Sequence, residues 1–200
     1  APPFSFAMLR FALATLIGII ITNKKIVHLS YQDIYGGTVC GLFLFLGYTF
    51  QNYGLDITVP SKSAFITSIS VLIVPIILLF YKKEKVTYKL WLSILIVMFG
   101  LYLLIEPGNI AEQLNPKYGK AAFLPNIGDL LTFGCAVFFA LHIVFQSNAV
   151  KKKINLIRFF IVQCLSVSAF AGFSSIIIGK TTVIWHNTLI TSLLINGIIA

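Results

Sequence analysis

The sequence predicts an all-α protein threaded several times through a membrane, and three observations carry that expectation. Mostly apolar stretches of roughly twenty residues recur along the chain, and a bilayer core about 30 Å thick is crossed by an α-helix rising about 1.5 Å per residue over that length. The chain is 58% hydrophobic and 10% charged, with a mean hydropathy of +0.94, whereas ordinary soluble domains carry about 25% charged residues. Its lysines also gather in alternate gaps between the apolar stretches, the pattern that orients membrane helices.

The first span runs from about Phe4 to Thr22 with one charge, Arg10, and a polar turn at Asn23, Lys24 and Lys25 follows. The second, about Ile34 to Leu55, is rich in glycine, and Gly37 with Gly41 makes the GxxxG spacing at which helices approach closely. A linker with Asp56 and Pro60 leads into the third, about Ser63 to Tyr81, where Pro75 removes a backbone donor and is expected to bend the helix. Lys82, Lys83, Glu84 and Lys85 close it, and the fourth span covers about Leu90 to Ile105. The polar stretch from Glu106 to Asn126, with Pro107, Pro116 and Pro125, is the expected boundary between domains 1–126 and 127–200. The fifth span, about Ile127 to Phe145, starts at Gly128-Asp129, where a carboxylate suits a helix N-terminus, and ends near Lys151, Lys152 and Lys153. The sixth covers about Ile157 to Ile178, and a seventh begins near Thr188. With no methionine or basic leader before Ala1, and Ala200 inside an apolar run, the chain reads as the middle of a longer protein.

One set of alternate gaps holds Lys24, Lys25, Lys82, Lys83, Lys85, Lys89, Lys151, Lys152, Lys153 and Arg158; the other holds Lys62, Lys117, Lys120 and Lys180. The positive-inside rule places the first set in the cytoplasm, so the first span runs inward. The formal charge of +9 is thereby explained by orientation and anionic headgroups, and no nucleic-acid partner is expected. Cys40, Cys135 and Cys164 lie in apolar runs without the short paired spacing of a zinc or redox site, so neither metal nor cofactor is expected.

Transport needs polar groups facing a cavity, because an unpaired polar group in hydrocarbon costs several kcal/mol. Ser63, Thr67 and Ser70 follow helical spacing in the third span, Tyr48 and Gln51 share a face of the second with Gly37 and Gly41, and Thr132, Cys135, His142 and Gln146 line one side of the fifth. Gln163, Ser166 and Ser174 do the same in the sixth. The competing role for such stripes is interhelical hydrogen bonding, worth about 0.6–2 kcal/mol for each bond. Arg10 admits two roles as well: snorkelling or bonding to a neighbouring helix, or contact with an anionic substrate group. His142 has a side chain that titrates near neutrality in water and suits proton-linked or substrate-binding work, against a role in packing. It has no acidic or cysteine partner three or four residues away, the spacing of helical neighbours, so no catalytic site is expected.

The run Gln51-Asn52-Tyr53-Gly54-Leu55, then Thr58, Ser61-Lys62-Ser63-Ala64-Phe65-Ile66 and Val74-Pro75, resembles the third-to-fourth helix hairpin of EamA-type transporters of the drug/metabolite transporter superfamily. Phe4 to Ala14, with Ala7, Arg10 and Ala14, resembles that family's second helix. Glu84-Lys85-Val86-Thr87 resembles its turn before the fifth helix, and Gly100 falls where the family has a packing glycine, sixteen residues after the acid. Gly128-Asp129 with Ala140, His142, Ile143 and Val144 resembles the sixth helix of one bacterial branch, and Gln163 fits a glutamine of the seventh. Ser93 departs from the family pattern, standing where a glycine is usual.

The resemblance implies ten helices in two five-helix repeats of inverted topology, of which this chain holds helices 2 to 8. Aligning Arg10 with Gln163 puts their helices in opposite directions by the charge count, as inversion demands. It further implies a multi-pass inner-membrane exporter of small organic metabolites or drug-like compounds, with membrane lipid as a second partner and a homodimer as a possible assembly. Arg10, Tyr48, Gln51, Ser63, Thr67, Ser70, His142 and Gln163 are the expected pathway residues, and Gly37, Gly41, Pro75 and Gly100 the expected packing residues. The alternatives are an exchanger of phosphorylated or nucleotide-linked sugars, which calls for several basic residues facing the pathway, and a noncatalytic membrane scaffold.

Overall fold

The structure, a computed structural model, describes residues 2–22, 29–82, 87–104, 125–152, 154–179, 182–183 and 186–199. All regular structure among them is helical: α1 (Pro3–Thr22), α2 (Tyr31–Ile57), α3 (Pro60–Ser68), α4 (Ser70–Lys82), α5 (Tyr88–Leu104), α6 (Ile127–Lys151), α7 (Leu156–Ile177) and α8 (Asn187–Ile199). Among the described residues, five stretches are long and apolar enough to cross a bilayer: α1, α2, α3 joined to α4 over Pro60–Phe80, α6 and α7. The lysine-rich turns at 23–28 and 83–86, the stretch 105–124, Lys153 and Lys180 lie outside the described residues.

Helix starts follow from local chemistry. Ser30 and Asp33 form a reciprocal capping box at α2: the Ser30 hydroxyl accepts from the Asp33 N–H (3.3 Å), and the Asp33 carboxylate accepts from the Ser30 N–H (2.9 Å). This begins α2 three residues ahead of the expected Ile34, because the polar opening Tyr31-Gln32-Asp33 is satisfied within its own turn. Asn155 caps α7 by accepting from the N–H groups of Ile157 and Arg158, both at 3.2 Å. At the far end of α7, Gly179 takes φ 69°, a left-handed stop that glycine alone adopts without strain. Gly179→Ala is expected to lower stability by about 1–2 kcal/mol, read as a lower thermal midpoint in detergent.

The third span departs from expectation. Its helix is interrupted at Ile69, where the Ile69 N–H bonds to Ile66 O and the Leu72 N–H to Ile69 O, both one residue short of the α-helical reach. Pro75 is buried and sits within the continuous helix α4. The discontinuity therefore lies upstream of the proline, between Ser63 and Thr67 of α3 and Ser70, which opens α4.

Many large apolar side chains point outward, and much of the buried interior is made of small ones. Ile20 is 75% exposed and Phe80 82%, whereas Ala14, Cys40, Cys135, Ala136, Ala140, Cys164 and Ala171 are buried. A water-soluble domain does not show contiguous apolar surface of this kind, but helices packed through small residues and surrounded by lipid do.

Two compact units are distinguished, residues 1–45 with 145–200, and residues 46–144. In the first, α1 packs antiparallel on α7, with the Ser5 and Ser175 hydroxyls 2.7 Å apart and the Ser168 hydroxyl donating to Met8 O at 2.9 Å. In the same unit α2 meets α7 at its glycines. A Cβ on Gly37 would lie 2.8 Å from Val162 Cβ, and one on Gly41 would lie 2.8 Å from Ser166 Cβ and 2.9 Å from Gln163 O. In the second unit, Phe50 packs on Phe138 (centroids 5.3 Å apart) and Phe65 on Tyr102 (6.4 Å). Gly100 on α5, expected as a packing residue, meets no described atom within 4 Å of where its Cβ would be. There α5 presents this position, together with the 64% exposed Phe99, to open space among the described residues.

Candidate functional site

A polar cluster of the second unit is built where α2 ends, α3 begins and α6 begins. Gly54 of α2 and Gly128 of α6 carry no side chains to separate these ends: a Cβ on Gly128 would lie 2.9 Å from both Gly54 O and Thr58 N. That approach brings Thr58 onto Asp129, to which its hydroxyl donates at 2.6 Å. Lys62, in the first turn of α3, completes the junction with an ion pair to the other carboxylate oxygen, also at 2.6 Å. Asn126 and Asp129 close a second capping box, the Asn126 N–H donating to the carboxylate (3.0 Å) and the Asp129 N–H to the Asn126 side-chain oxygen (3.1 Å). One carboxylate thus serves a helix start, a hydroxyl and an ammonium. Deeper on the same helices, the Ser63 and Thr132 hydroxyls lie 3.3 Å apart, both buried.

The expected pathway residues of this unit lie on α2, α3, α4 and α6. Ser63 and Ser70 are buried, while Tyr48, Gln51, Thr67 and His142 are half-buried. Tyr48 packs edge-on against Phe139 with ring centroids 5.6 Å apart. Lys62 was not singled out by sequence reasoning, which counted it among loop lysines; the structure makes it helical and paired. The Ser61-Lys62-Ser63 run was the available signal, but its partner lies 67 positions away.

In the first unit, Gln163 is 4% exposed on α7, at the face that receives Gly41 of α2. Ser166, one turn on, donates to Val162 O at 2.8 Å and to the Thr38 hydroxyl at 3.4 Å. Arg10 is half-buried in α1, with its guanidinium carbon 4.7 Å from the Phe11 ring centroid. This seam is made of small hydroxyls and one amide between close-packed helices. Among the described residues, no three His, Cys, Asp or Glu side chains converge in a way that could hold a metal ion.

Apolar spans, lipid-facing bulk and polar seams define a multi-pass α-helical membrane protein. The chain matches the EamA-like transporter family over residues 1–106, and it belongs to that family. It is 33% identical over 146 residues to an uncharacterized transporter of Archaeoglobus fulgidus, an alignment that covers 73% of this chain and 40% of that protein. A solved crystal structure described only as that of a protein superposes with a TM-score of 0.75 at 18% identity, covering 99% of this chain and 66% of that one. The chain thus spans less than half the length of that curated relative and about two thirds of the solved chain, with which it shares the fold.

Proposed function

We propose that this chain forms part of a secondary carrier of the inner membrane that exports small organic metabolites or drug-like compounds by alternating access. Family membership and the similarity to an Archaeoglobus transporter support transport. The observation that carries the mechanism is the antiparallel seam of α1 and α7. Gly18 of α1 receives Ile161 of α7, and Gly172 of α7 receives Met8 of α1. Aligning Arg10 with Gln163 matches Met8 to Ile161 and brings Gly18 within one residue of Gly172, so the two contacts are near-equivalents under a local two-fold. This reciprocity supports two inverted repeats, 1–126 and 127–200, and each compact unit draws helices from both.

Carriers of this design bind solute near mid-membrane, where polar side chains replace its water shell. Gln163 and Arg10 are the groups we place on that pathway in the first unit, and Tyr48, Gln51, Ser63, Thr67, Ser70 and His142 in the second. Counterflow of a metabolite panel in proteoliposomes of the full-length protein, with and without a pH gradient, tests the reading. It expects accumulation of at least one solute, and no movement under any gradient would contradict it. For an anionic solute, Arg10→Lys is expected to reduce transport about tenfold, because lysine cannot give the planar, two-pronged contact of a guanidinium. Equal transport by the lysine variant would leave Arg10 a snorkelling or structural residue.

A further inference from the structure

We propose that the cavity at the lysine-rich end of α6 is a binding site for the headgroup of an anionic phospholipid. The cavity lies wholly in the first compact unit and has a volume of about 540 Å³, within the range of about 300–1,000 Å³ usual for small-ligand sites. Tyr31, Gln32 and Tyr35 of α2 form one wall, Asn148 and Lys152 form another, and Phe159 of α7 lies behind them. Phe159 is 2% exposed and packs with Cys40 and Ala149, so the floor is buried and apolar while the rim is polar.

Three features fix the occupant. The first is depth: Lys151 and Lys152 follow directly on the apolar run of α6 and mark the level at which it leaves hydrocarbon, where phosphate groups lie. The second is the tyrosine pair. Tyr31 and Tyr35, 79% and 59% exposed, stack with centroids 6.0 Å apart and planes 14° from parallel. Tyrosine is enriched at this level because its ring accepts acyl and glycerol carbon while its hydroxyl meets the headgroup.

The third feature is charge. Lys152 is exposed at the rim, next to the exposed Lys151. Asp33, between the tyrosines in sequence, is 3% exposed and engaged in capping α2. An anion is therefore favoured at the rim. Ile34, Leu156 and Ile157, each about half exposed, belong to the helices that frame the cavity and offer lipid-facing surface for acyl chains. A free soluble anion would leave that apolar surface unused. The site is separate from the proposed transport pathway and depends only on the chain spanning a membrane.

The test is native mass spectrometry of the full-length protein released from micelles holding equal amounts of phosphatidylglycerol and phosphatidylcholine. Retention of phosphatidylglycerol over phosphatidylcholine is expected, with Lys152→Arg preserving the preference and Lys152→Gln lowering it about fivefold, the effect of one basic residue near an anionic surface. Tyr31→Ala with Tyr35→Ala is expected to lower retention of both lipids. All these side chains are exposed, and an unchanged thermal midpoint verifies folding of each variant. Equal retention of the two lipids by the wild type, or an unchanged preference in Lys152→Gln, would overturn the proposal. Loss of bound phosphatidylglycerol to excess inorganic phosphate would also overturn it, by assigning the cavity to a soluble anion.

Discussion

Replacing Asp129 with asparagine is expected to lower the stability of the folded protein by about 2–4 kcal/mol, the sum of a charge-assisted hydrogen bond and a weakened helix cap. The carboxylate holds Thr58, Lys62 and the Asn126 N–H at once, and its side chain is only 13% exposed. Asparagine retains one acceptor and loses the charge that Lys62 pairs with. Lys62→Met is expected to cost about 1 kcal/mol or less, since that side chain is 28% exposed and solvent moderates the pair. Thermal midpoints in detergent for both single variants and the double variant measure the coupling. Additive losses would show that the junction does not act as a unit.

Gly41→Val is expected to be among the most damaging glycine substitutions in the first unit, together with Gly37→Val, whose Cβ would meet Phe159 O at 2.9 Å. A Cβ on Gly41 would meet the Gln163 carbonyl oxygen at the same distance and Ser166 Cβ at 2.8 Å, and a backbone oxygen cannot swing aside. The helices must separate, at a cost of about 1–3 kcal/mol or more. Gly47 provides the comparison, because the atoms facing it belong to the Phe139 ring, a side chain able to rotate. Gly47→Ala is therefore expected to lower the thermal midpoint less than Gly41→Ala. The reverse order would mean that α2 does not pack on α7 through Gly41. Because Gln163 lies at the same contact, Gly41→Val protein that still folds is expected to have lost transport.

Five of the expected membrane spans were legible because their signal is local: a run of apolar residues either is or is not long enough to cross a bilayer. Their boundaries were less so. The start of α2 falls at Tyr31 because Ser30 and Asp33 satisfy each other's backbone groups, which a hydropathy reading does not register. The helix break at Ile69 has no proline or glycine to mark it, and Pro75, which does carry the signal, is accommodated inside α4. Asp129 was legible as a helix-start carboxylate. Its pairing with Lys62 and Thr58 was not, because only the approach of α2 and α6 at Gly54 and Gly128 brings residues about 70 positions apart into contact.

The central claim is a membrane-threaded chain in which α1 and α7 run in opposite directions, the geometry an inverted-repeat carrier requires. Labelling of single introduced cysteines with a membrane-impermeant maleimide tests it most directly. The native Cys40, Cys135 and Cys164 are at most 1% exposed and are expected to stay silent. In spheroplasts expressing the full-length protein, Pro125→Cys is expected to label in intact cells, whereas Tyr31→Cys and Lys152→Cys label only after permeabilisation. Residues just after α1 and just before α7 would then share the inner side, so that α1 enters where α7 leaves. Labelling of Tyr31→Cys and Lys152→Cys from opposite sides would contradict the account.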